Sequence, residues 1–199
     1  MKKQGMKKRG NHIEALGRAI IAALGENPGR TGLRGTPARF IQSLKDLTRG
    51  TRQDAHAIVR SGIVADRRRT MILVRDIRII SLCEHHVLPF FGRCHVAYVP
   101  DQRALRPRHL SKLIDSFCHR LQVQERLTKQ IATTLWETLR PRGVAVIIEA
   151  AHLCMIMRGV EKANTEAVTS TMLGVFRTNP KIRGELMRSI GRRPTSDDR

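Results

Sequence analysis

Ser81-Leu-Cys-Glu-His-His86 sets a cysteine and a histidine three residues apart, and His152-Leu-Cys154 supplies a second cysteine beside another imidazole. Cys83, His86 and Cys154 form a set of three borderline-soft donors. That set suits zinc with a fourth position open, the arrangement of a catalytic rather than a structural site. His85 and His152 stand beside the three, where groups that exchange protons near neutral pH would be needed. Taken singly, each cluster also matches a buried cysteine beside a satisfied core histidine. Both interrupt apolar, strand-like runs and together they complete one ligand set, which favours metal.

The elements that must position these residues follow from periodicity. Met71 to Leu82 is β-branched and apolar, a predicted strand that delivers Cys83 at its end. Pro89 and Gly92 break the chain before a second strand over Arg93 to Val99. Pro107 opens a helix to about Leu121, and Glu125 to Leu139 forms another with Leu127, Ile131, Leu135 and Leu139 on one face. Pro141-Arg-Gly143 turns into Val144–Ala151, a buried strand that delivers His152 and Cys154. A last strand is predicted over Val168 to Phe176, with a helix after Pro180. Two hairpins joined by a helical pair predict an α+β fold: an antiparallel four-stranded sheet with helices on one face. The N-terminal third reads differently. Asn11 and Glu14 form a capping box before Ile13, Leu16, Ile20 and Leu24, and Thr36-Pro37 opens a second helix. Residues 51–68 read as a polar connector. The predicted division is therefore a helical arm and connector over 1–68 and a site-bearing domain over 69–199.

Composition narrows the possible partners. Thirty-seven Lys and Arg against seventeen Asp and Glu leave +20, a field that attracts polyanions. The basic residues are scattered, though, and one Tyr and one Trp supply little to stack bases on, so nucleic acid is not the expected partner. Met1 to Gly5 is basic but leads into no apolar segment, and no run is long enough to span a bilayer. Four cysteines without a disulfide framework read as reduced thiols or ligands, which points to the cytoplasm. Cys94 and Cys118 match no ligand position and read as small core hydrophobes. Met155, Met157 and Met172 read as core, and Glu84 as solvated or supporting rather than ligating.

Longer motifs carry a family resemblance. Ser81–Gly92, Leu121-Gln-Val-Gln-Glu-Arg-Leu-Thr128, the run from His152 to Lys162, Thr169–Phe176 and Gly35-Thr-Pro-Ala-Arg39 together resemble GTP cyclohydrolase I, from Ile13 to Ile190. The resemblance implies the tunnelling fold in a toroidal homodecamer, with sites at subunit boundaries. It implies a reaction in which GTP is hydrolysed at C8, formate leaves, and rearrangement gives 7,8-dihydroneopterin triphosphate. Cys83, His86 and Cys154 then resemble the zinc ligands, His152 the acid that protonates the purine N7, and His85 the residue acting near the ribose ring oxygen. Glu125 resembles the reader of the guanine N1 and 2-amino edge, a natural acceptor for two N–H donors. Gln124, beside it, is a second candidate contact, with an exposed helix-start glutamine as the equal alternative. Arg158 and a neighbouring subunit's Arg39 resemble triphosphate contacts.

One segment departs from that pattern. Where the family carries a Ser, a Lys and, three positions on, an Arg, this chain carries Arg108, His109 and Lys112. Positive charge for a triphosphate is kept, while the hydroxyl is missing from its place. Two alternatives stay open beside the full enzyme. One is a divergent paralogue that binds or ring-opens GTP without completing the rearrangement. The other is a basic nucleic-acid-binding protein with a structural zinc.

Overall fold

The structure, a computed structural model, describes residues 2–159 and 165–191, with residues 2–12 as backbone only. It divides into two compact units, Met1–Arg49 and Gly50–Arg199. In the first, α1 (Lys2–Ala23) starts well before the capping box, and α2 (Thr36–Leu47) starts at Thr36 with Pro37 in its first turn, as the sequence predicts.

The second unit begins earlier than residue 69. Residues 51–68, expected as a connector, form α3 (Ala55–Ser61) and β1 (Ile63–Ala65). Asp54 caps α3, accepting from the Ala57 N–H at 3.0 Å, and Val59 is fully buried in the main core. Two buried positions, Ala55 and Val59, are too few to show a period, which is why the segment reads as loop. β1 pairs antiparallel with β4 (Arg103–Leu105) in a small separate sheet.

The main sheet holds β2 (Ile72–Cys83), β3 (Pro89–Val99), β6 (Gly143–His152) and β7 (Ala167–Gly174), antiparallel as expected. It is not four-stranded. β5 (Leu121–Gln122) adds a parallel edge to the end of β2, giving a mixed five-stranded sheet in the order β5-β2-β3-β6-β7. Two residues between helices carry no readable period, so only tertiary pairing defines that strand.

On one face, α4 (Pro107–Cys118) and α5 (Gln124–Leu139) bury Leu113, Ile114, Leu127, Ile131 and Leu135 in a core shared with Ile79, Cys94, Val96, Val146 and Ile148. Each such side chain contributes about 1.5–3 kcal/mol by leaving water. Helices are not confined to that face. Phe176 of α7 (Val175–Thr178) and Leu186 of α8 (Pro180–Gly191) cover Ala97, Val99, Ala145 and Ile147 on the other. Ile80, Phe91 and Val168 stay exposed. Among the described residues no helix is long and apolar enough to cross a membrane.

The β3–β6 pairing is close enough to demand glycine at position 92, opposite Ala150. A Cβ there would stand 1.9 Å from the Glu149 carbonyl oxygen and 2.6 Å from Ala150 Cα. Gly92→Ala should therefore lower stability by about 1–3 kcal/mol, the cost of overpacking. The measurement is a urea midpoint at fixed protein concentration, and an unchanged midpoint would contradict the register.

Candidate active site

β2 ends at Cys83 and hands the chain to β3 through a tight turn. The Cys83 N–H donates to the Leu88 carbonyl at 2.9 Å, and the Val87 N–H to the Cys83 carbonyl at 2.8 Å. Val87 takes φ +57, a left-handed conformation that a β-branched residue rarely adopts and that costs free energy. His85 and His86 ride exposed on this turn, ring centroids 6.4 Å apart and edge to face. Across the sheet, β6 ends at His152 opposite Phe90, and the one-turn helix α6 (Leu153–Ile156) carries Cys154.

The two strand ends bring the two cysteines together. Cys83 and Cys154 are buried and unpaired by disulfide, and their thiols lie near enough to act on each other electrostatically. Burial, and then the neighbouring Cys83 sulfur, push the Cys154 thiol above its ordinary pKa. Both sulfurs therefore meet where a cation would relieve their mutual cost. The third expected donor, His86, has Nε2 within 2.6 Å of the Arg158 guanidinium. Arginine only donates, so that nitrogen holds a lone pair. Among the described residues no three His, Cys, Asp or Glu side chains stand close enough to hold a metal as they are. The donor set nonetheless fits zinc in kind: two neighbouring thiols and an imidazole three residues from one of them.

His152 is held on two sides. Its ring stacks on Phe90 with centroids 4.9 Å apart and planes 11° apart, and its Nε2 lies 2.8 Å from Gln124 Oε1. Gln124 is not an exposed helix-start residue: it is buried, and its amide nitrogen donates into Ile148 O, Ala167 O and Thr169 Oγ1 at 2.8–3.1 Å. Its neighbour Glu125 is exposed in the first turn of α5, where the positive end of the helix favours a carboxylate.

Glu84 supports the turn rather than pointing at a metal. Its carboxylate pairs with Arg126, which holds it below the usual carboxylate range, and its N–H donates to the Gln122 carbonyl at 2.9 Å. Arg126 also donates to Gln122 Oε1 at 3.0 Å and to the Leu121 carbonyl at 2.9 Å. The His85–His86 turn is thus tied to β5 and α5. Sequence reasoning missed Phe90, Gln122 and Arg126. Gln124 carried a signal: it lies three before Leu127 and seven before Ile131, so a polar residue occupies the apolar face.

The expected phosphate residues divide. Arg108 and Lys112 are exposed at the start of α4. His109 is buried, and its Nδ1 has no hydrogen-bond partner. A Cβ on Gly62 would come within 2.4 Å of the His109 ring. Burial first, then Arg108, Lys112 and Arg106, press its pKa below the ordinary histidine value. As placed, a neutral buried ring offers a phosphate nothing. Arg39 is exposed within the first unit, its guanidinium 3.2 Å from Thr36 Oγ1. Cys94 and Cys118 are buried as expected, the Cys118 thiol pushed up to about 12 chiefly by burial. Met155 packs on the main core and Met172 on the smaller one, but Met157, expected in the core, is 69% exposed because α6 ends before it. Residues 160–162 of the matched motif lie outside the described residues.

The GTP cyclohydrolase I family pattern matches residues 13–191. GTP cyclohydrolase 1 of Coxiella burnetii (strain Dugway 5J108-111) is 48% identical over 173 residues, 87% of this chain and 94% of that protein. The Alkalilimnicola ehrlichii enzyme is 47% identical over 178 residues, 89% of this chain and 96% of that protein. The Synechococcus sp. (strain JA-2-3B'a(2-13)) enzyme is 47% identical over 177, covering 89% and 77%. The chain belongs to the GTP cyclohydrolase I family and is a hydrolase. A solved apo structure of the archaeosine synthase QueF-Like is fainter, with TM-score 0.44 and 17% identity over 52% of this chain and 93% of that one; no part of the assignment rests on it.

Neighbouring buried thiols of this kind should cross-link when oxidised without metal. Chelator-stripped protein treated with diamide should yield a Cys83–Cys154 disulfide by peptide mapping. Recovery of both as free thiols under conditions that oxidise an exposed dithiol would contradict their placement.

Proposed function

We propose that this chain carries out the complete family reaction with zinc: hydrolysis of GTP at C8, loss of formate, and rearrangement to 7,8-dihydroneopterin triphosphate at the entry to tetrahydrofolate and pterin biosynthesis. The observation that carries this reading is the meeting of the Cys83 and Cys154 thiols beside His86 and His152 at adjoining strand ends.

Cys83, Cys154 and His86 would hold the ion. Bound there, zinc supplies Lewis-acid chemistry that makes water a nucleophile near neutral pH. Were Nε2 of His86 to take the ion, the Arg158 guanidinium that now lies against it would be available to a phosphate. His152, clamped by Phe90 and Gln124, is positioned to deliver a proton to the purine, and His85, exposed on the turn, to act near the ribose. Glu125 accepts from the guanine N1 and 2-amino donors. Arg108, Lys112 and, from a neighbouring subunit, Arg39 attract the triphosphate. The tunnelling fold closed into a homodecamer suits the exposed Ile80, Phe91 and Val168 of the sheet, which would be covered by other copies. Thiol ligands suit the reducing cytoplasm.

One observation favours a second reading, a paralogue that opens the ring without completing the rearrangement. Arg108 stands where the family carries a hydroxyl, and an arginine cannot relay a proton. The buried His109 supplies no substitute. Formate and pterin fluorescence, measured separately on zinc-loaded protein with GTP, decide between them. The full reaction gives both in step, whereas formate without pterin establishes the second reading and the absence of both rejects each.

Two substitution sets test the roles. Wild type, Cys94→Ser and Cys118→Ser should carry about one zinc per chain by elemental analysis, while Cys83→Ser and Cys154→Ser should lose metal and turnover together. Full zinc in Cys154→Ser would remove it from the ligand set. Glu125→Ala should weaken GTP binding by about 1–3 kcal/mol in calorimetry, because the guanine donors lose their acceptor; unchanged affinity would place Glu125 outside the base pocket.

A further inference from the structure

We infer that Gln124 is a positioning residue, one that fixes the ring orientation and the tautomer of His152 and does not itself meet the guanine. This rests on the proton-donor role proposed above for His152.

Gln124 is 1% exposed, so its side chain answers only to protein groups. One end of its amide lies 3.0 Å from the Ile148 carbonyl oxygen and 2.8 Å from the Ala167 carbonyl oxygen. Main-chain carbonyls only accept, so that end must be the NH₂ group. A third neighbour, Thr169 Oγ1 at 3.1 Å, agrees. Thr128 gives its hydroxyl hydrogen to the Gln124 main-chain carbonyl at 2.7 Å. Thr169, 2.7 Å from Thr128 Oγ1, must then donate to it, which leaves Thr169 Oγ1 to accept from the amide.

With the NH₂ fixed, the oxygen of Gln124 is turned to His152, 2.8 Å from Nε2. An amide oxygen cannot donate, so Nε2 carries a hydrogen. The parallel Phe90 ring, 4.9 Å away, holds the imidazole plane. Nε2 is thereby committed to Gln124 and the ring plane to Phe90. Gln124 therefore ties α5 to β6 and β7 while fixing the orientation of the imidazole. Outer partners that fix an imidazole in this way commonly matter by about 10–100-fold.

The test combines a mutant cycle with a spectrum of the unaltered protein. In the zinc-loaded enzyme, Gln124→Met should slow formate release about 10–100-fold while GTP affinity changes less than about twofold. In a His152→Asn background the same substitution should add no further loss, because its effect passes through that ring. Loss of GTP affinity, or a loss that multiplies in the double variant, would overturn the inference and restore Gln124 as a substrate contact. His152→Asn at the wild-type rate would instead sink the acid role itself, and the positioning claim with it. Because Gln124→Met removes the amide that donates to the Ile148 and Ala167 carbonyls, at a cost to folding, the tautomer is also read in unmodified protein. With ¹⁵N-labelled histidine, the resonances that vanish in His152→Asn should show a protonated Nε2, and a neutral ring protonated at Nδ1 would overturn the inference without any variant at Gln124.

Discussion

The antiparallel register of β2, β3 and β6 is the constraint on which the site depends. It sets Leu82 opposite Pro89 and Phe90 opposite His152, so Cys83 and the segment leading to Cys154 finish at the same end of the sheet. A slip by one residue would turn every side chain to the other face. Cys83 would leave the buried side and Phe90 would no longer back His152. Gly92 holds that register at the point of closest approach, and the buried Val96, Val146 and Ile148 on one face make the alternative costly. The chemistry is therefore paid for by strand pairing, not by the loops that display it.

The first turn of α5 then distributes three tasks among three successive residues. Side chains on a helix step round by about 100° per residue. Gln124 turns inward to the sheet and His152, Glu125 outward to solvent, and Arg126 sideways to Glu84 on the ligand-bearing turn. β5, only two residues long, brings this turn alongside Cys83 by pairing Gln122 with it. The parallel edge thus has a use out of proportion to its length. The strained Val87 and the Glu84–Arg126 pair hold the same turn from opposite ends.

Most of the main sheet was legible because its long strands show apolar continuity, and two of them, β2 and β6, end in Cys83 and His152. Positions were legible too: Cys83 closes β2, His152 closes β6, Cys154 follows on α6, and Glu125 is exposed in the first turn of α5. What escaped was defined by tertiary neighbours. β5 has no period, α3 buries too little to announce itself, and nothing local distinguishes Arg126 from a solvated arginine. Gln124 is not the exposed helix-start residue that was one alternative, because its amide is engaged inside the protein. His109 aligns with a cationic position, but close packing against Gly62 buries its ring and disfavours its charge, which the sequence could not show.

If Cys83, Cys154 and His86 form an open zinc site, X-ray absorption at the zinc edge of the loaded wild-type protein should show two sulfur scatterers at about 2.3 Å, nitrogen or oxygen completing the shell at about 2.0–2.1 Å, and imidazole outer-shell features. A shell of four sulfurs, or of nitrogen and oxygen alone, would contradict it.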